Sequence, residues 1–195
     1  MSTDPVVVEV TVAAPADVIW HALRDSAEIR RWFGWEYDGI EEEIDQIFHS
    51  DAVTESEQER WMDTGGGGRF ELEARDGETV VRITRAAPAG GTWDGVYDDV
   101  NEGWLAFVQQ LRFLLERHPG EDRRAFSTTH PDPHATLQLV DGEDWFRSTH
   151  QRAVTFDGGA GLLIAMRDRV ILSAYGLDDA RFDALRAQLT PPSRP

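Results

Sequence analysis

The sequence predicts an α+β fold in which a curved antiparallel β-sheet wraps around a long amphipathic helix. Two observations predict it. Between positions 98 and 118, Val100, Trp104, Phe107, Val108, Leu111, Leu114 and Leu115 recur at helical spacing in one apolar stripe, with Glu102, Gln109, Arg112 and Glu116 opposite. Between positions 69 and 85, two alternating segments flank Asp76-Gly77, a strong tight-turn pair. Phe70, Leu72 and Ala74 share one face of the first segment and Arg69, Glu71, Glu73 and Arg75 the other; Val81 and Ile83 point inward from the second.

The remaining elements follow in order. Val6 to Val12 is a β-rich apolar run and reads as a first strand. Pro15 suits the first turn of a helix that buries Val18, Ile19, Ala22 and Leu23. Asp25 and Glu28 have capping-box spacing and open a short helix presenting Ile29, Trp32 and Phe33. Ile40 to Phe48 fits two periods. Ile40, Ile44 and Ile47 suit a helix, and Ile40, Ile44 and Phe48 suit a strand; the Glu-rich composition favours the helix. Glu57 to Met62 reads as a short strand, and the four glycines 65–68 as a flexible connection. Pro119-Gly120 ends the long helix. Residues 121–135, polar and Pro/His-rich, read as a loop. Gly161 to Met166 and Val170 to Tyr175 read as strands around an Arg167-Asp168 turn. Asp178 caps a last helix, with Leu177 and Phe182 at staple positions and Leu185 and Leu189 continuing the stripe; Pro191 to Pro195 is expected to be a disordered tail.

Composition narrows the function. The chain has 195 residues, a net charge of −17, 19 basic residues that are all arginine, and no cysteine. Disulfides, thiolate nucleophiles, Cys-based metal sites, lysine Schiff bases and lysine phosphate loops are therefore excluded. So acidic a surface disfavours nucleic acid and anionic membranes. No apolar run approaches the roughly 20 residues of a membrane helix, and Met1-Ser2-Thr3-Asp4 does not open a signal peptide. A cytoplasmic location is the simplest expectation.

Particular residues carry a family resemblance. "VVVEVTVAAPADVIWHALRDSAEIRRWFG", with Ala14-Pro15, Trp20 and Trp32-Phe33, resembles the opening of SRPBCC (START-like) proteins of the heat-shock-protein ATPase-activator-like group. "NEGWLAFVQQLRFLLERHPG" resembles that group's final helix through Glu102, Gly103 and Trp104. The resemblance spans about residues 5–120 and implies a helix-grip core over 1–120, with 121–195 a strand–helix extension packed on the same domain. It departs from the group in that about 75 residues follow the long helix. It implies a cavity for lipids, polyketides or other apolar molecules; some members are cyclases or hydrolases and others are co-chaperone-like.

Trp61, Phe70, Leu72, Trp93, Tyr97, Trp104, Phe107, Val108 and Leu111 are the candidate ligand-binding residues, with simple core packing as the alternative for each. His130-Pro-Asp-Pro-His134 brings two imidazoles and a carboxylate together, but in an extended surface loop, so no metal site is expected. Glu41, Glu42, Glu43 and Asp45 read as a solvated helix face. There is no Gly-x-Ser-x-Gly elbow, no catalytic residue stands out, and no cofactor is implied. The leading reading is a binding protein for an apolar, lipid-like or aromatic small molecule, without obligatory catalysis. A polyketide cyclase or hydrolase and a co-chaperone-like interaction module are the alternatives. Trp32, Phe33 and Trp35, if exposed together, would support a homodimer.

Overall fold

A computed structural model describes residues 4–87, 89 and 91–191. The expected disordered tail therefore lies outside the described residues beyond Pro191. The chain divides into two compact units: Met1–Gly34 with Gly39–Gly120, and Trp35–Asp38 with Glu121–Pro195. Among the described residues there are two five-stranded antiparallel sheets and six α-helices, so the α+β class holds.

The first unit begins with β1 (Val6–Val12), whose alternation buries Val8, Val10 and Val12. Helix α1 (Ala16–Arg24) follows, with Pro15 at the N-cap. It buries Ile19, Trp20, Ala22 and Leu23; Val18 lies instead on its exposed side. Helix α2 (Ser26–Arg30) is capped by the Asp25 carboxylate, which accepts from the Ala27 and Glu28 amides at 2.9 and 3.1 Å. Trp32 and Phe33 beyond it are fully buried, so the apolar patch that would support a homodimer does not exist. Their rings are the largest apolar payload nearby, and the core takes them.

The ambiguous segment is helical. Helix α3 (Ile40–Ile44) runs into a single π-turn, Asp45–His49. Ile40, Ile44 and Phe48 form its buried side, while Ile47 is half-buried. Glu57–Met62 is not one strand. β2 (Thr54–Ser56) and β3 (Trp61–Asp63) are separated by a turn in which Arg60 takes a left-handed φ of 55°. The four-glycine run is a packed turn. The Gly65 amide donates to Ile47 O at 2.9 Å, and a Cβ on Gly65 would meet Gln46 O at 2.1 Å. Only glycine allows that approach.

β4 (Gly68–Arg75) and β5 (Glu78–Arg85) form the expected hairpin. The sheet order is β1-β5-β4-β3-β2. Helix α4 (Asp99–Arg117) packs on its inner face, where the Trp104 ring meets Phe70 at 5.3 Å. An antiparallel sheet carrying a long helix is thus observed. The helix is not wet on its far side, however. Ala106, Gln109, Gln110 and Phe113 are buried together with Trp104, Val108 and Leu111, whereas Val100 is 46% exposed.

The second unit holds more strands than expected. Residues 121–135 are not a loop: β6 (Arg123–Thr129) pairs with β10 (Arg169–Tyr175), and Pro133–Thr136 forms the short helix α5. β7 (Gly142–Arg147), β8 (Arg152–Phe156) and β9 (Gly161–Ala165) complete a sheet of order β6-β10-β9-β8-β7. Phe126, Val154, Leu163 and Leu172 occupy one face with Phe182, Leu185 and Leu189 of α6 (Asp179–Leu189). Ala153, Leu162, Ile164, Ile171 and Tyr175 are buried on the other. Burial on both faces is why β9 reads as an unbroken apolar run. Asp178 caps α6 by accepting from the Arg181 amide at 2.7 Å. The strap Trp35–Asp38 belongs to this unit: the Glu36 amide donates to Ala125 O at 3.2 Å.

Candidate functional site

The hairpin places two different rows of side chains on opposite faces of the first sheet. Val8, Ile83, Phe70 and Met62 are successive cross-strand partners and form the inner row. Glu9, Arg82, Glu71 and Trp61, one residue along each strand, form the outer row.

On the inner face the structure assembles part of the predicted set. Phe70, Trp104, Val108 and Leu111 are buried together, and Phe107 is half-buried beside them. Two rings that the candidate set omitted, Phe33 and Phe48, join them. Phe33 meets Phe48 at 5.2 Å and Phe107 at 4.8 Å, and Phe48 meets Trp104 at 6.2 Å, each edge-to-face. Such pairs add about 0.5–1.5 kcal/mol each beyond area burial. These rings fill space against one another.

Trp93 and Tyr97 lie in the segment leading into α4 and are half-buried. The Arg85 guanidinium sits 5.3 Å over the Trp93 ring, is paired with Asp98 at 3.0 Å and donates to the Asn101 side chain. Asp98 in turn caps α4 through the Asn101 amide at 2.9 Å. The Trp93 indole N–H is buried and finds no acceptor among the described residues.

The outer face carries a cavity of about 430 Å³, open on one side, lined by Glu59, Trp61, Glu71, Leu72, Glu73 and Arg82. Two of the predicted residues, Trp61 and Leu72, therefore border it, and Trp61 stands on the face opposite Phe70. The Trp61 indole N–H donates to Glu59 at 2.8 Å. The Arg69 guanidinium lies 4.1 Å over the same ring, held by two bonds to Asp63 at 2.6 and 2.7 Å that depress the Asp63 carboxyl below its ordinary range. Arg82 donates to Glu9 and to Glu73, each at 2.5 Å. Hydrogen bonds from Arg75 and Arg82 lower the Glu73 carboxyl to about 2.

Glu59, Glu71, Glu73 and Arg82 were absent from the candidate set. The signal was present in part, since the alternation of residues 69–75 already puts Glu71 and Glu73 on the face away from Phe70. Glu59 reaches Trp61 only because of the turn at Arg60.

Elsewhere, Asp132 caps α5 and its amide donates to His130 Nδ1 at 3.0 Å. No group of three metal-ligating side chains occurs among the described residues. No helix among them is long and apolar enough to cross a membrane.

No family model matches the sequence, and no curated protein matches it. Among solved structures, the chain is similar to the di-domain ARO/CYC StfQ from the steffimycin biosynthetic pathway, with a TM-score of 0.39 and 10% identity over 91% of this chain and 86% of that one.

Proposed function

We propose that this protein binds a small organic molecule in the outer groove of its first sheet. The observation that carries the proposal is the cavity of about 430 Å³ beside Trp61 and Leu72. Small-molecule sites occupy about 300–1,000 Å³ and combine apolar walls with a few placed polar groups. Here the Trp61 ring supplies the apolar surface and Glu59, Glu71, Glu73 and Arg82 the polar groups; Leu72 borders the cavity from a position whose side chain shares the inner face with Phe70. Phe70, Trp104, Phe107, Val108 and Leu111 act as the packed support behind it. SRPBCC membership is part of the same proposal and rests on the two sequence segments and on a long helix carried by an antiparallel sheet.

A cyclase- or hydrolase-type reading draws on the three carboxylates in one cavity. Glu73 cannot serve it as a general acid, because Arg75 and Arg82 keep that carboxyl ionised at any ordinary pH.

Native mass spectrometry after incubation with a mixture of fatty acids and aromatic polyketides tests binding. The wild type should retain a stoichiometric adduct that Trp61→Ala loses. Absence of any adduct, or its full retention by Trp61→Ala, defeats the proposal.

A further inference from the structure

We infer that Arg60, which does not line the groove, is its positioning residue: the side chain clamps to α1 while the left-handed backbone aims Glu59 at the Trp61 ring. Its consequence for binding rests on the reading of the groove as a small-molecule site.

Arg60 and Asp157 are the two non-glycine residues with a left-handed φ among the described residues. A Cβ disfavours that region, so a residue stays there only where its surroundings over-determine it. Both the backbone and the side chain of Arg60 are held. Its amide donates to Glu57 O at 3.3 Å and closes the turn, and its carbonyl accepts from the Leu72 amide at 2.9 Å, which ties the turn to β4. Its guanidinium is paired with Asp17 in the first turn of α1 and lies 5.7 Å over the ring of Trp20, a buried residue of the same helix. Glycine would take this backbone without strain; arginine adds the reach to α1 that glycine lacks.

The effect falls on the two neighbours. Glu59 and Trp61 flank the left-handed residue, and the Glu59 carboxylate accepts from the Trp61 indole N–H at 2.8 Å. Arg69 holds the same ring by its face at 4.1 Å. The ring is thus fixed on its face from within the sheet and at its edge through the turn. If the turn relaxes, the edge restraint goes and Glu59 leaves the groove wall.

Exchange of the Trp61 indole N–H with water, followed by NMR on the full chain, tests the inference. In Arg60→Ala it should speed up about tenfold, the protection given by one hydrogen bond to a charged group. In Arg60→Gly it should stay at the wild-type rate, because glycine keeps the left-handed turn without the clamp. Arg60→Asn, which also tolerates that region, should follow glycine. The Trp32 indole, which donates to Ala22 O at 2.9 Å in the core, reports that each variant is folded. Wild-type rates in all three variants, or equal acceleration in all three, overturn the inference. The first outcome removes any role for Arg60, and the second leaves none for its backbone. In native mass spectrometry with the fatty-acid and polyketide mixture, Arg60→Ala should lose the adduct that Arg60→Gly retains; an adduct kept by Arg60→Ala also overturns the inference. Absence of any adduct in the wild type defeats the small-molecule reading and leaves the exchange result standing.

Discussion

The inner and outer rows of the first sheet are built on the same four strands, one residue apart, and have opposite fates. Val8, Ile83, Phe70 and Met62 are at most 2% exposed. Glu9, Arg82, Glu71 and Trp61 remain in contact with solvent, and the last three border an open cavity. The inner row meets the rings of Phe33, Phe48 and Trp104 and is consumed by packing; the outer row keeps its charges paired but accessible. Aromatic density therefore marks the core of this unit, and the proposed binding surface lies where aromatic and charged residues alternate.

The largest expected break in that contrast is Phe70→Ala. Removing a fully buried ring from the centre of the cluster should cost about 3–5 kcal/mol in denaturant unfolding. Trp61→Ala, on the same pair of strands, should cost about 1 kcal/mol or less, being a partly exposed ring with one cation–π contact. Similar losses for the two variants would erase the distinction between the faces.

Thr84 sharpens the comparison, because it lies on the outer face yet is buried, and its hydroxyl has no partner among the described residues. Thr84→Val removes an unsatisfied group at constant shape and should stabilise the chain by about 1 kcal/mol in the same assay. A loss of that size would show that the hydroxyl is satisfied.

Much of the fold was legible because its period is strong. The β4–β5 hairpin, α4, β9, β10 and α6 stand close to where alternation, helical spacing and caps put them. What was not legible has local causes. β6, with the sequence RRAFSTT, is an edge strand with a single partner strand and needs little apolar content; its neighbours His130, Pro131 and Pro133 dominate the impression of a loop. β7 carries a register shift between Asp144 and Phe146, which breaks the alternation that would announce it. Gln109 reads as a wet-face residue but is 5% exposed, because glutamine on a helix carries no mark of tertiary burial. The groove was half legible: Trp61 and Leu72 were singled out, and Glu71 and Glu73 were placed on the correct face. Their union with Glu59 depends on the left-handed Arg60, which a strand-like reading of 57–62 passes over.

The smallest effect expected concerns Glu73, and it tests whether the outer row is the ion-paired surface described here. In the folded chain its carboxyl is lowered from 4.5 to about 2, first by Arg75 and then by Arg82. A lowered carboxyl pKa means that the ionised form favours the fold. Its contribution is complete above about pH 4.5 and is lost as the pH falls through about 2. Arg82→Gln removes one of the two donors, so the Glu73 midpoint, followed by carboxyl-carbon NMR titration, should rise towards 4.5 without reaching it. Arg75→Gln/Arg82→Gln should bring it the rest of the way. Since the group is exposed, high salt should move the wild-type midpoint in the same direction. A midpoint that stays at about 2 in Arg82→Gln would mean that Arg82 does not engage Glu73. Arg82 would then be held by Glu9 alone, and the outer face would lose part of the charge pattern that separates it from the inner one.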